Sequence, residues 1–293
     1  MYFFLLILAM FCYSLQDAFM AHFARKIESL SMSVYRNLSL GISMFVVFLF
    51  VPWQDVYSFA PKQMLVLGFS SFCGSLAVTL FSLSSKTLPV GIGAGIRVTA
   101  NTLMMVLIGF ILFGEILNKW ELLVILFVIL GILLLTMQKI DVKHLIHGNP
   151  LKGFIYSIIG GFCAAFAFSF MSEAARNENP LVVAYFWELF IGIFALIIGI
   201  FRYLFFKIKI EKISKKTFLH ILLGATPTVV GTVSFTIAIR HVPIGIAGAF
   251  LALDVLMLSL FGVFMFKEKL QPLQLLGIVM VVLSVVILKI IGV

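Results

Sequence analysis

The chain reads as a succession of apolar runs, each close to the length that crosses a bilayer, divided by short polar punctuation. About 20 apolar residues span the hydrocarbon core as a helix. By that measure ten runs qualify: residues 2–22, 32–51, 63–84, 88–113, 120–137, 151–171, 181–201, 217–239, 242–266 and 272–292. The longest polar connections are 138–150 and 202–216, and neither leaves room for a domain outside the membrane. Function is therefore expected within the helix bundle or at its mouths. The first run lacks the basic start and small-residue cleavage site of a signal peptide, so it is expected to persist as the first membrane helix.

The pattern repeats itself. Residues 88–117 read LPVGIGAGIRVTANTLMMVLIGFILFGEIL, and residues 242–270 read VPIGIAGAFLALDVLMLSLFGVFMFKEKL. Pro89, Gly91 and Ile92 match Pro243, Gly245 and Ile246 at an offset of 154, while Phe113, Glu115 and Leu117 match Phe266, Glu268 and Leu270 at 153. One residue separates the two registers. These blocks are the fourth and ninth spans, so the repeating unit is five helices. An odd number of crossings makes the second copy enter from the opposite side. The expected fold is an all-α membrane protein with ten transmembrane helices in two inverted five-helix repeats. The first repeat runs over 1–138, the second over 151–293, and 139–150 connects them. Inverted repeats are typical of secondary transporters, whose site lies near the midplane between the halves.

Composition narrows the class. Hydrophobic residues make up 62% of the 293 and charged residues 11%, against roughly 25% charged in soluble domains. Lipid must be the solvent for so much apolar surface. The formal charge of +9 would suggest a nucleic-acid partner in a soluble protein. Here most of the Lys and Arg sit in short connections, which points to membrane orientation and headgroup contact instead. Cys12, Cys73 and Cys163 lie apart in apolar runs, with neither disulfide nor metal-ligand spacing. His144 and His147 stand three apart without further ligands. No Walker loop and no nucleophile–base grouping is present, so neither cofactor, metal nor catalysis is expected.

Together the motifs resemble the drug/metabolite transporter superfamily in its EamA-like ten-helix form, over nearly the whole chain. The residues that carry the likeness are LPVGIGAG with FGEIL, VPIGIAGA with FKEKL, Arg36 in SVYRNLSLG, and the polar first helix YSLQDAFMAHFARK. The resemblance implies two fused five-helix halves, both termini in the cytoplasm, and a bacterial inner membrane. Neither repeat helix carries the mid-helix Pro often found in the family; Asn101 and Asp254 occupy those regions. The stretch around Asp17 is also similar to EamA-type carriers of S-adenosylmethionine.

Ionisable residues deep in a bilayer cost roughly 2.5–3.5 kcal/mol each on insertion scales, so they usually face a cavity or one another. Five stand out: Asp17, Arg36, Arg97, Glu188 and Asp254. Asp17 and Arg36 sit at similar depth in neighbouring helices and can pair. Arg97, Glu188 and Asp254 lie too deep to reach the headgroups. They form either a self-neutralising network or a pocket, with Arg97 for a carboxylate or phosphate and the two acids for an amine or a coupling proton. Asn101 shares the face of Arg97 one turn on. Tyr13, Tyr35, Tyr185 and Trp187 are candidate rings for a planar or cationic ligand. Pro227 is expected to kink the eighth span, and Glu115 and Glu268 are expected to bind helix-end groups.

Charge and resemblance disagree on orientation. Five Lys and Arg fall on the side of the N-terminus and fourteen on the other, which puts the termini outside by the positive-inside rule. The expected function is a secondary transporter moving a small charged or zwitterionic metabolite, amino-acid-like or S-adenosylmethionine-like, by alternating access, with protons as a candidate coupling ion. The alternatives are a proton-coupled exporter of lipophilic cations and a membrane scaffold without a transport cycle.

Overall fold

In a computed structural model the chain forms α1 (Tyr2–Ala24), α2 (Ser29–Phe48), α3 (Trp53–Tyr57), α4 (Pro61–Ser84), α5 (Val90–Phe113), α6 (Lys119–Thr136), α7 (Pro150–Asn177), α8 (Pro180–Phe206), α9 (Lys215–Ile239), α10 (Ile244–Phe250), α11 (Ala252–Phe266) and α12 (Pro272–Ile291). The structure describes residues 1–24, 26–88, 90–136, 149–266 and 271–291. Pro89, Glu268, the two loop histidines and most of the 139–150 connection lie outside them. Among the described residues ten spans are long and apolar enough to cross a membrane, with α10 and α11 together making one of them.

The starts follow local chemistry. Pro61, Pro150 and Pro180 open α4, α7 and α8 at the position where a missing N–H costs nothing. Asn149 and Asn179 cap the last two by accepting the N–H of Leu151 and Leu181, each at 2.9 Å.

The inverted relation shows in how helices choose partners. Exchanging the halves exchanges α1 with α7, α2 with α8, α4 with α9, α5 with α10–α11 and α6 with α12. Accordingly α4 packs along α7 as α1 packs along α9, α5 meets α7 as α11 meets α1, and α4 meets α8 as α9 meets α2. The self-paired contacts α6–α12, α2–α8 and α5–α10 straddle the pseudo-two-fold axis. Small residues set the closest approaches. A Cβ on Gly277 of α12 would lie 2.7 Å from the Gly131 carbonyl of α6, and one on Gly161 of α7 would lie 2.5 Å from the Arg97 carbonyl of α5.

Each half also pins the long connection after its second helix to the turn before the second helix of the other half. In the first half, the amide of Ala60 donates to Glu178 at 3.0 Å and Asn179 donates to Asp55 of α3 at 2.6 Å. In the second, Glu28 holds Arg202 at 2.8 Å while its own amide donates to Glu211 at 2.6 Å. Glu28 also caps α2 through the amides of Leu30 and Ser31. Burial alone would push the Glu28 carboxyl up, but donors from Ser31, Arg202 and Leu30 outweigh it and hold the group below its ordinary value.

Two helices are irregular. Helix α9 runs through Pro227 without ending. The proline cannot donate to the Leu223 carbonyl, and the Thr226 hydroxyl takes its place at 2.7 Å. The ninth span breaks at Leu251, where α10 gives way to α11.

Candidate binding cavity

The deep polar residues converge on one cavity of about 110 Å³ between the halves. Helix α1 contributes Tyr13 and Asp17, α2 Arg36, α5 Arg97 and Asn101, α8 Trp187 and Glu188, and α11 Asp254. Towards the side of the N-terminus, Leu6, Met44, Met171, Val182 and Phe235 are wholly buried and close the cavity. The opposite side has a smaller apolar cluster around Met20, Met32 and Ile221.

Four of the charged groups form a chain. Arg36 lies 3.4 Å from Asp17, Asp17 lies 3.5 Å from Arg97, and Arg97 lies 3.3 Å from Asp254. These are long for charge-assisted bonds, which settle at about 2.7–2.9 Å. Other groups steady the chain. Gln16 accepts from Arg36 at 3.0 Å, and the guanidinium of Arg97 lies 4.3 Å above the ring of Phe81. The Ser14 hydroxyl oxygen is 2.8 Å from an Asp254 carboxylate oxygen and 2.7 Å from the Met10 carbonyl, so its single proton serves one of them at a time.

Glu188 stands apart. It is 2% exposed, and among the described residues no ion pair reaches it. Thr232 donates to its Oε1 at 2.6 Å, and Tyr13 donates in turn to Thr232 at 3.3 Å. Among the described residues its Oε2 has no partner, and neither do Arg97 Nε, Asn101 Oδ1, Gln16 Nε2 and Thr228 Oγ1. Buried polar atoms are ordinarily satisfied, so several orphans around one cavity mark a place where a ligand or water completes the bonding.

Two aromatics expected at the site lie elsewhere. Tyr35 donates its hydroxyl to the Glu211 carbonyl at 2.8 Å and so anchors the connection before α9. It neighbours Arg36 in sequence, but one residue turns a helix by about 100°, which carries Tyr35 off the cavity face. Tyr185 stacks on Phe48 with ring centroids 4.5 Å apart, one turn from Glu188 towards the sealed side. Glu115 is also away from the cavity: it binds Arg176 at 2.7 Å and accepts the Ile244 amide at the start of α10 at 2.7 Å. Sequence reading missed Ser14, Gln16, Phe81, Phe168, Thr228 and Thr232. Ser and Thr inside a helix carry no periodic signal, because each can bond its own backbone instead.

Inverted five-helix halves around a charged cavity define a multi-pass membrane transporter. The chain matches the profile of the EamA-like transporter family over residues 1–137 and 151–290, one stretch in each half, and it belongs to that family. No curated protein matches it. A solved structure described only as "Crystal structure of protein" is similar in fold: 14% identical, covering 99% of this chain and 96% of that one, with a TM-score of 0.73.

Proposed function

We propose that the chain is a secondary carrier of a small charged or zwitterionic metabolite, of the amino-acid or S-adenosylmethionine kind, and that it works by alternating access. The observation that carries this reading is the central charge chain with its 3.3–3.5 Å separations. Such pairs hold the site together yet leave donors and acceptors that a ligand can claim. Arg97, with its free Nε beside Asn101, suits a carboxylate or phosphate of the substrate. The cavity is smaller than the roughly 300–1,000 Å³ of pockets that enclose drug-sized ligands. A metabolite of that size would enter as the halves part, and the apolar seal on the N-terminal side would then re-form on the other.

The test is transport by purified protein in liposomes, with a metabolite panel and an imposed pH gradient. Counterflow of at least one charged metabolite, lost in Arg97→Ala, is expected. Folded protein that moves none of them contradicts the reading. A pH gradient that drives uptake would add a coupled proton.

A further inference from the structure

We infer that the connection between α8 and α9 is a docking face for the headgroups of anionic phospholipids in the surrounding bilayer. Residues 207–216 read KIKIEKISKK, five lysines against one acid. Lys207, Lys209, Lys212, Lys215 and Lys216 are all exposed, and among the described residues no acid pairs with any of them. The one acid, Glu211, is engaged by the Glu28 amide at 2.6 Å. Lys215 and Lys216 also occupy the first turn of α9, where a cation opposes the positive end of the helix dipole. Anions from outside the chain would offset this concentration of positive charge.

The connection is ordered in a way that keeps the lysines on the outside. Lys207 ends α8 in the left-handed conformation, with a φ of 56°. A Cβ on Gly199 of α8 would then lie 3.0 Å from Ile210. Ile213 packs on the cluster of Met20, Met32 and Ile221, and the backbone of Glu211 is fixed by Ser31 and Tyr35. The internal repeat supplies a comparison. The equivalent connection of the first half, residues 49–62, is also pinned to the other half, yet it carries one lysine and one aspartate. Pinning a connection therefore does not call for lysines. Tyr203, Phe205, Phe206 and Ile208 are exposed beside them. An aromatic and apolar band next to a cluster of cations matches the boundary between acyl chains and phosphates. A soluble phosphate would use the lysines and leave that band without a role.

The experiment is native mass spectrometry of the full chain in neutral detergent, titrated with dioleoylphosphatidylglycerol or dioleoylphosphatidylcholine. The anionic lipid is expected to bind at least about tenfold more tightly than the zwitterionic one. Combining Lys207→Gln, Lys209→Gln and Lys212→Gln should remove most of that preference, while arginine at the same three positions should keep it. Combining Lys62→Gln, Lys119→Gln and Lys289→Gln removes as much charge from exposed sites on the opposite side, and should also keep it. Millimolar glycerol 3-phosphate should leave the bound lipid in place. Thermal unfolding checks that each variant is folded; if the first triple variant is not, Lys209→Gln alone, expected to be about threefold weaker, replaces it. Equal binding of the two lipids overturns the inference. So does a preference unchanged by the glutamines at the connection, the result expected if these lysines serve only to orient the chain during insertion. Displacement by glycerol 3-phosphate would assign the face to a soluble phosphate instead and overturns the lipid assignment.

Discussion

The ion pairs at the rims of this bundle and those at its centre use the same residue types in different ways. At the rims Arg176 meets Glu115 at 2.7 Å and Arg202 meets Glu28 at 2.8 Å. Each of these acids also accepts backbone amides, so the pair locks a helix end to a connection. At the centre the separations grow to 3.3–3.5 Å, two arginines share two acids, and polar atoms go unbonded. On the carrier reading proposed above, the rims would stay in place and the centre would exchange partners. A membrane protein that cycles between two openings needs both properties.

That contrast can be broken by mutation. Arg97→Ala should have the largest effect, because it leaves Asp17 and Asp254 facing each other without their shared cation. Breaking a buried pair this way costs about 3–5 kcal/mol, read as a lower unfolding midpoint in mixed micelles. The double variant Arg97→Ala with Asp254→Asn should regain part of the loss; a strictly additive result would show that the two do not interact. Arg176→Gln should cost less, about 1.5–3 kcal/mol for one hydrogen bond between charged groups, and leave substrate affinity intact. A changed affinity there would erase the distinction between rim and centre.

Glu28→Gln should cost about 1 kcal/mol as a weakened helix cap, and its pH dependence has a definite sign. The Glu28 carboxyl is held below its ordinary value in the folded protein. Its contribution is present above the unfolded value and is lost as pH falls through the folded one. The gap between wild type and Glu28→Gln should therefore close below about pH 4. Smallest of all is the stability change in Glu188→Gln, expected near zero or slightly favourable because a lone buried charge is removed. Transport should nonetheless fail. A large destabilisation would show that Glu188 is held by a counter-charge.

The spans, the repeat and the five deep charges could all be read along the chain, because insertion length, a shared Pro-x-Gly-Ile start and the rarity of buried charge leave marks in one dimension. The convergence of Asp17, Arg97 and Asp254 could not be read that way. They come from three helices whose rotation about their axes depends on contacts such as Gly161 against the Arg97 carbonyl. Tyr35 and Tyr185 were drawn to the site by adjacency to Arg36 and Glu188, and helical phase in one case and depth in the other moved them away. The break at Leu251 has a partial sequence trace: the one-residue change of register falls between Ile246 and Phe266, the stretch that contains it. The Thr226 hydroxyl that rescues the carbonyl below Pro227 was legible in principle, as a hydroxyl beside a proline.

The most direct test of the central claim is chemical protection inside the cavity. In protein with Cys12, Cys73 and Cys163 replaced by Ala, a single cysteine at Val78, which lines the cavity, would be labelled with a small methanethiosulfonate. A metabolite shown to undergo counterflow should slow that labelling in step with its occupancy, and more weakly in Glu188→Gln. Labelling that proceeds at the same rate under saturating substrate would contradict a binding site between the two halves.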